Sequence, residues 1–218
     1  MPYYNNRRYG RRRYIRRRRP YRKQPGVIQM AKKAYYGYRM LKGIVNSEKK
    51  TYDASFPSPQ SSTATVTPLT GIAQGDDYNA REGRSILLKS IQVQGNIGQN
   101  NSATATLYRW IVFIDNDNTG SAPTAAQLGI TSVNSLRDPN PVNMKRFSIL
   151  CDRLIRMDDG SNQNFPIKWF HKLNHHAKFD GTTANDYAQG SVWLLTVSDQ
   201  AINTPSITAT SRVRYYDN

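Results

Sequence analysis

Hydrophobic and polar residues alternate along most of residues 46–218, and this alternation is the main structural pattern of the chain. A period of two places successive side chains on opposite faces of a β-strand. Five segments carry apolar residues mostly at every second position: Lys50–Phe56, Leu87–Ile97, Phe147–Met157, Phe165–Trp169 and Ile207–Tyr215. Turn-forming residues separate these segments, so the pattern predicts distinct strands.

Two further segments are apolar on both faces, which is typical of buried strands. They are residues 104–115 and Val192–Val197. A weaker strand is predicted around Val66, within a loop at 57–80 that is rich in Pro, Ser, Thr and Gly. Further long loops are expected at 116–144 and 180–190, the first with a short helix at Pro123–Leu128.

This arrangement predicts the fold class. Many strands without alternating helices indicate an antiparallel sandwich or barrel. About eight strands with long connections favour an all-β, eight-stranded jelly-roll sandwich. An immunoglobulin-like sandwich is the alternative, but Cys151 is the only cysteine, so the paired cysteines of that fold are absent. Because Cys151 lies in an apolar run, we expect it to be a buried structural thiol.

Residues 27–45 have a different period. Apolar residues recur three and four positions apart, with basic residues largely between them, at Ile28, Ala31, Tyr35, Tyr38, Leu41 and Val45. This spacing predicts an amphipathic helix, although Gly37 and Gly43 each weaken it by roughly 1 kcal/mol. A disordered linker is the alternative.

The charge distribution divides the chain in two. Positions 1–50 hold 17 of the 31 Lys and Arg residues and one acid, Glu48, which gives a net charge of +16. Positions 51–218 hold 14 basic and 14 acidic residues, so their net charge is zero. We therefore expect an Arg-rich arm at 1–45, flexible or partly helical, followed by a jelly-roll shell domain at 46–218. A block of like charge stays extended and requires a polyanion.

The composition of the arm points to nucleic acid as that polyanion. Guanidinium groups bind phosphate oxygens in pairs. Aromatic rings stack on bases, and each stacked base stabilises the complex by roughly 1–3 kcal/mol. A tail that only aids solubility would not need this density of cations. The candidate nucleic-acid-binding residues are Arg7, Arg8, Arg11, Arg12, Arg13, Arg16, Arg17, Arg18, Arg19, Arg22, Lys23, Tyr9, Tyr14, Tyr21, Lys32 and Lys33.

Candidate catalytic and metal-binding groups are few. The chain has no GxxxxGK[ST], GxGxxG, GxSxG or HExxH motif, so we expect no enzyme activity and no cofactor. His171, His175 and His176 lie at the end of a predicted strand, where surface or interface roles are favoured over zinc. Asp115 and Asp117 begin a calcium-loop-like sequence, but its twelfth position is Ala126 rather than Glu. A tight turn is therefore favoured over a weak calcium site completed by a neighbouring subunit. No segment reaches the ~18 apolar residues of a membrane span.

Three segments accompany the arginine-rich N-terminus in a familiar arrangement: REGRSILLKSI (81–91), RWIVFID (109–115) and RFSILCD (146–152). With them, the chain resembles the capsid proteins of small circular Rep-encoding single-stranded DNA (CRESS-DNA) viruses. It is similar in layout to the coat proteins of small satellite viruses with RNA genomes. The resemblance implies a jelly roll, on the order of sixty copies in an icosahedral T=1 shell, and arms that line the interior.

These observations predict a viral capsid protein that self-assembles and packages a single-stranded genome through its arm. The resemblance alone favours single-stranded DNA as the cargo. It implies a location in the virion and, during infection, in the host nucleus. The arginine run itself has the composition that nuclear import machinery recognises, and this use is compatible with binding of nucleic acid. Arg84, Lys89 and Arg109 are expected either to be structural or to face the lumen. The alternative is a cellular nucleic-acid-binding protein of the ribosomal or RNA-chaperone type, which predicts a basic, aromatic-rich face on the folded body.

Overall fold

A computed structural model describes residues 26–44, 49–58, 60–103, 105–118, 120–158 and 163–217. Contacts divide the chain into two compact units, Met1–Asn46 and Ser47–Asn218. The first unit contains helix α1, Val27–Ile44, and the second contains all the strands. Each unit is described on its own below.

Helix α1 confirms the helical spacing predicted for residues 27–45. The backbone amides of Gln29 and Met30 donate to the Gly26 carbonyl oxygen, so the first turn closes on the glycine that follows Pro25. All side chains from Gln29 to Gly37 are exposed. No helix within the described residues is long and apolar enough to cross a membrane.

The second unit is built from antiparallel strands, as the alternation predicts. The nine strands are β1 Lys49–Ser55, β2 Thr65–Pro68, β3 Ser85–Gly98, β4 Ala105–Asp115, β5 Phe147–Asp158, β6 Asn164–Phe179, β7 Tyr187–Gln189, β8 Ser191–Ser198 and β9 Ser206–Asp217. One sheet has the order β1-β9-β3-β6-β7 and the other β2-β8-β4-β5. The predicted count of eight strands is one too low. The missed strand is β7, whose three residues are too few to show an alternation.

The connections between the sheets produce the predicted sandwich. Apart from β7, the chain passes from one sheet to the other between successive strands, except at β4 and β5, which pair with each other. The core between the sheets is apolar. It includes Trp110, and Trp169 packs against it, with the two rings edge to face at 5.9 Å. Cys151 is buried and free, as expected.

The long connection between β4 and β5 is more ordered than predicted. Its first helix, α2 at Ala125–Leu128, confirms the predicted helix and begins with a capping box between Thr124 and Gln127. A second helix, α3 at Pro141–Arg146, was not predicted. The apolar side chains of Leu128, Ile130 and Val133 join the core. This connection therefore covers part of the four-stranded sheet, and β8 is buried along its whole length.

Candidate nucleic-acid interface

Most of the predicted nucleic-acid-binding residues lie outside the described residues. These are the arginines and tyrosines from Arg7 to Arg22 and Lys23. Lys32 and Lys33 are described, and both are exposed on α1. Their placement on a helix surface agrees with the predicted role but does not test it.

The described part of α1 combines cations with aromatic rings. Tyr35 and Tyr36 are 58% and 62% exposed, and their ring centroids lie 6.1 Å apart. Tyr36 follows Lys32 by four positions, which places the two side chains next to each other on a helix. This surface therefore offers the two groups that bind single strands without sequence preference, a cation for phosphate and a ring for bases.

A second basic surface lies on the strands. We call the solvent-facing side of β1, β9, β3 and β6 the outer basic face. Seven cations project from it: Lys49, Lys89, Lys168, Lys172, Lys178, Arg212 and Arg214. Their residues alternate with buried ones, and the strand registers place them on the same face of the sheet. Within the described part of these strands, Asp53 is the one carboxylate on this side.

Asp53 neutralises only one of these cations. Its two carboxylate oxygens accept from Nε and Nη2 of Arg212 at 2.8 and 2.7 Å. These hydrogen bonds lower the pKa of Asp53 and raise that of Arg212. Seven cations against one carboxylate leave a surplus of six positive charges on the outer basic face. Beside the pair, a shallow groove of about 430 Å³ is lined by Gln92, Gln94 and Thr210.

Aromatic and amide groups lie among these cations. Phe170 is 52% exposed and pairs across the sheet with Gln92. The Lys89 ammonium donates to Asn174 Oδ1 at 2.9 Å and lies 5.8 Å from the Tyr216 ring centroid. The outer basic face can therefore attract phosphates over its whole width, and its exposed phenylalanine can stack on a base.

The sequence count did not reveal this surface, because acidic loops balance it. Five acidic residues lie in the connections at 74–83 and 180–186: Asp76, Asp77, Glu82, Asp180 and Asp186. The zero net charge of the body is therefore a sum of unlike surfaces. A period-two pattern of basic residues at Lys168, Lys172 and Lys178 and at Arg212 and Arg214 is the feature that points to it.

The sequence left the roles of Arg84, Lys89 and Arg109 open: each was expected either to be structural or to face the lumen. Arg109 is structural, because its guanidinium binds both oxygens of Asp152 at 2.8 and 2.6 Å and donates to the carbonyls of Val133 and Ser135. Hydrogen bonding to Asp152 raises the pKa of Arg109. Lys89 lies on the outer basic face, and Arg84 is exposed in the loop before β3.

The candidate calcium ligand Asp115 already has a cationic partner. It is fully buried, and Arg146 donates to its two oxygens at 2.8 Å each. The Asp117 amide also donates to Asp115 Oδ1, at 3.3 Å, which is the hydrogen bond of a tight turn. The pair with Asp115 raises the pKa of Arg146. The guanidinium thus occupies the position where a cation would bind, which favours the turn over the metal site.

The three histidines lie along β6 rather than at its end. His171 stacks on the Trp169 ring at 5.7 Å, and Ser85 Oγ lies 3.5 Å from His176 Nδ1. Burial is the main cause that lowers the pKa of His175. Within the described residues, no three His, Cys, Asp or Glu side chains group to hold a metal ion.

Two comparisons of the sequence with known proteins agree on a viral coat protein. The family model described as Satellite tobacco necrosis virus coat protein matches residues 29–218. The capsid protein of Satellite tobacco necrosis virus 1 is 26% identical over 174 residues, which are 75% of this chain and 86% of that protein.

Two solved viral structures are similar at lower levels. A chain of Desmodium yellow mottle tymovirus has a TM-score of 0.39 and 11% identity, over 78% of this chain and 88% of that one. The VP2 subviral particle of infectious bursal disease virus has a TM-score of 0.29 and 10% identity, over 77% and 33%. The assignment to a family rests on the family model, which matches residues 29–218. The chain therefore belongs to the satellite tobacco necrosis virus coat protein family, whose members are viral capsid proteins and generally structural rather than enzymatic.

Proposed function

We propose that this coat protein self-assembles into a small icosahedral shell and packages a single-stranded genome through its Arg-rich N-terminal arm. The observation that carries the proposal is the division of charge. A surplus of +16 lies in residues 1–50, and residues 51–218 sum to zero. Subunits that tile a shell must not repel one another, whereas the segment that meets the genome must be cationic.

The size of the charge supports this division of labour. If about sixty arms each contribute roughly +16, the shell encloses on the order of a thousand positive charges. That charge is comparable with the phosphates of a very small genome. The copy number is what the resemblance implies, and a nuclear import function is a prediction from the arginine run. As a capsid protein, the chain is a component of the virion.

The outer basic face extends the proposed genome-binding surface onto the folded body. Its surplus of six charges would repel the same face of a neighbouring copy if the two met without a polyanion between them. We therefore place it toward the packaged nucleic acid, together with Lys32 and Lys33. Because its cations are spread over four strands, it would hold phosphates without selecting a sequence.

The comparisons change the expected cargo. Single-stranded DNA was expected from the CRESS-DNA resemblance alone, and the family that matches is that of a satellite RNA virus. Neither arginine nor tyrosine distinguishes the two polymers by phosphate binding or stacking. We therefore propose RNA, and digestion of the released cargo with RNase or DNase distinguishes the two.

A direct test compares three forms of the chain: wild type, a deletion of residues 1–23, and an arm of full length with its ten arginines between Arg7 and Arg22 changed to glutamine. We expect both variants to fold and to lose most binding of single-stranded RNA, and the remaining binding, through the folded body, to depend much less steeply on salt than that of the wild type. The glutamine arm separates charge from length. Binding by either variant with an unchanged salt slope would refute the role of the arm.

One observation favours the second candidate, a cellular nucleic-acid-binding module. That hypothesis predicts a basic, aromatic-bearing face on the folded body, and the outer basic face has these properties. The family match favours the coat protein. The two hypotheses differ in assembly, because a binding module remains a small species when RNA is added, whereas a coat protein forms particles.

A further inference from the structure

The free edge of β5 is the feature that points beyond the proposed function. This strand is the last of the four-stranded sheet and pairs only with β4 within the described residues. It is twelve residues long, and Leu154 near its middle is 54% exposed. Long edges of this kind present unpaired amides and carbonyls and readily accept another strand.

The hydrogen bonds of β4 show which backbone groups of β5 lie on this edge. Leu107 accepts from the Asp199 amide at 3.0 Å, so its backbone groups point toward β8. Along an antiparallel ladder, the backbone groups of successive residues point to opposite sides. The amide and carbonyl of Arg109, two positions after Leu107, therefore also point toward β8. The register places Leu154 opposite Arg109, and the amide and carbonyl of Leu154 therefore point away from β4 to the free edge. The backbone amides and carbonyls of Asp152 and Arg156 point to the free edge as well.

The side chains of these three residues form a self-complementary series. Asp152, Leu154 and Arg156 occupy alternate positions, so they project from one face of the strand. Their side chains remain accessible, with 42% exposure for Asp152 and 71% for Arg156. An antiparallel copy centred on Leu154 would bring leucine against leucine and place each Asp152 opposite an Arg156.

We propose that two copies of this chain pair along their β5 edges about a two-fold axis that passes between the two Leu154 residues. Each Leu154 donates its amide to the carbonyl of the other, and each Asp152 faces Arg156 of the other copy. The contact is isologous, so one surface serves both subunits. The inference rests on the proposed self-assembly and assigns one of its contacts.

The order of the residues favours pairing over simple protection of the edge. Charged residues on an edge usually prevent strand addition, and like charges would do so here. The acid and the base instead lie at equal distances on either side of an exposed leucine. Asp152 is held in place by Arg109, and Arg156 Nε donates to Asp158 at 3.1 Å, which leaves its other guanidinium hydrogens for the second copy.

Cysteine cross-linking of the full-length chain tests the register. In this pairing the two Leu154 Cα atoms lie about 5.5 Å apart, within the range that a disulfide bridges. The two Arg156 positions are offset by four residues, or about 13 Å along the strand. We expect Leu154→Cys to form a covalent dimer on mild oxidation and Arg156→Cys to remain monomeric on a denaturing gel. Wild type, whose Cys151 is buried, gives the background.

Electron microscopy of the same samples distinguishes failure of the β5 contact from failure of shell assembly. Particles without a Leu154→Cys cross-link, or equal cross-linking of both variants, would overturn the β5 contact and leave the shell intact. Absence of both particles and cross-links would overturn both proposals. If Leu154→Cys fails to fold by circular dichroism, Arg156→Glu replaces it, since two acids would then face each other. We expect that variant to weaken assembly at least tenfold, whereas Lys145→Glu on α3 does not, and an equal effect of both would overturn the contact.

Discussion

Arg81 shows how single residues hold the loops at one end of the sandwich. It is fully buried, and its guanidinium donates to the carbonyls of Ile72, Gly83 and Gly181 at 2.9, 2.8 and 2.5 Å. It also lies 4.1 Å from the Phe179 ring centroid. Burial is the main cause that lowers its pKa. Three chain segments thus meet on one side chain, because the planar guanidinium offers five donors spread over a wide fork.

We predict that Arg81→Lys lowers the free energy of unfolding by about 3 kcal/mol. A lysine ammonium cannot reach all three carbonyls, and each buried oxygen left without a donor is costly. Urea unfolding of the full-length chain measures the change. Arg84→Lys is the matched control, because Arg84 is exposed in the same segment, and its effect should stay within about 0.5 kcal/mol. Equal effects of the two changes would contradict the role of Arg81.

Individual roles of this kind could not be predicted from the sequence. Arg81, Arg109 and Arg146 have the same side chain as the arm arginines, and only their neighbours in space make them structural. Asp152 lies 43 positions from Arg109, and Asp115 lies 31 positions from Arg146. Period and composition do not indicate partners at such separations.

At the scale of elements, the alternation predicted most strands because one face of each is buried. It missed α3, and it missed β7, whose three residues are too few to show a period. It also missed the outer basic face as a surface, although each of its strands was predicted. The reason is that strand order decides which polar faces lie side by side, and β9 lies between β1 and β3 although it is last in the chain.

We predict that Lys172→Ala weakens binding of single-stranded RNA and makes the negative slope of log K against log salt shallower by about 0.7. With one phosphate contact fewer, binding releases one counterion fewer. Because phosphate contacts do not read bases, the change should not depend on RNA sequence. Fluorescence anisotropy over a salt series measures it. Lys145→Ala removes another exposed lysine, from α3, and its salt slope should be that of wild type. If both variants behave alike, the outer basic face is not a binding surface.

At the scale of the whole molecule, charge and assembly are separated along the chain. The N-terminal fifty residues carry the entire surplus of +16, and the remaining residues form a sandwich with one basic face, acidic loops and a self-complementary edge. Such a distribution suits a subunit that binds the genome through cationic segments and meets copies of itself through other surfaces. The division of charge could be predicted from the sequence, whereas the division of surfaces required the sheet topology.

The most direct test of this account is the size of the purified full-length protein, measured by sedimentation velocity and electron microscopy before and after nuclease treatment. The account predicts one fast-sedimenting species, particles of a single diameter, and RNA inside them that resists added nuclease. A chain that sediments as a monomer at every salt concentration, with and without added RNA, would contradict it.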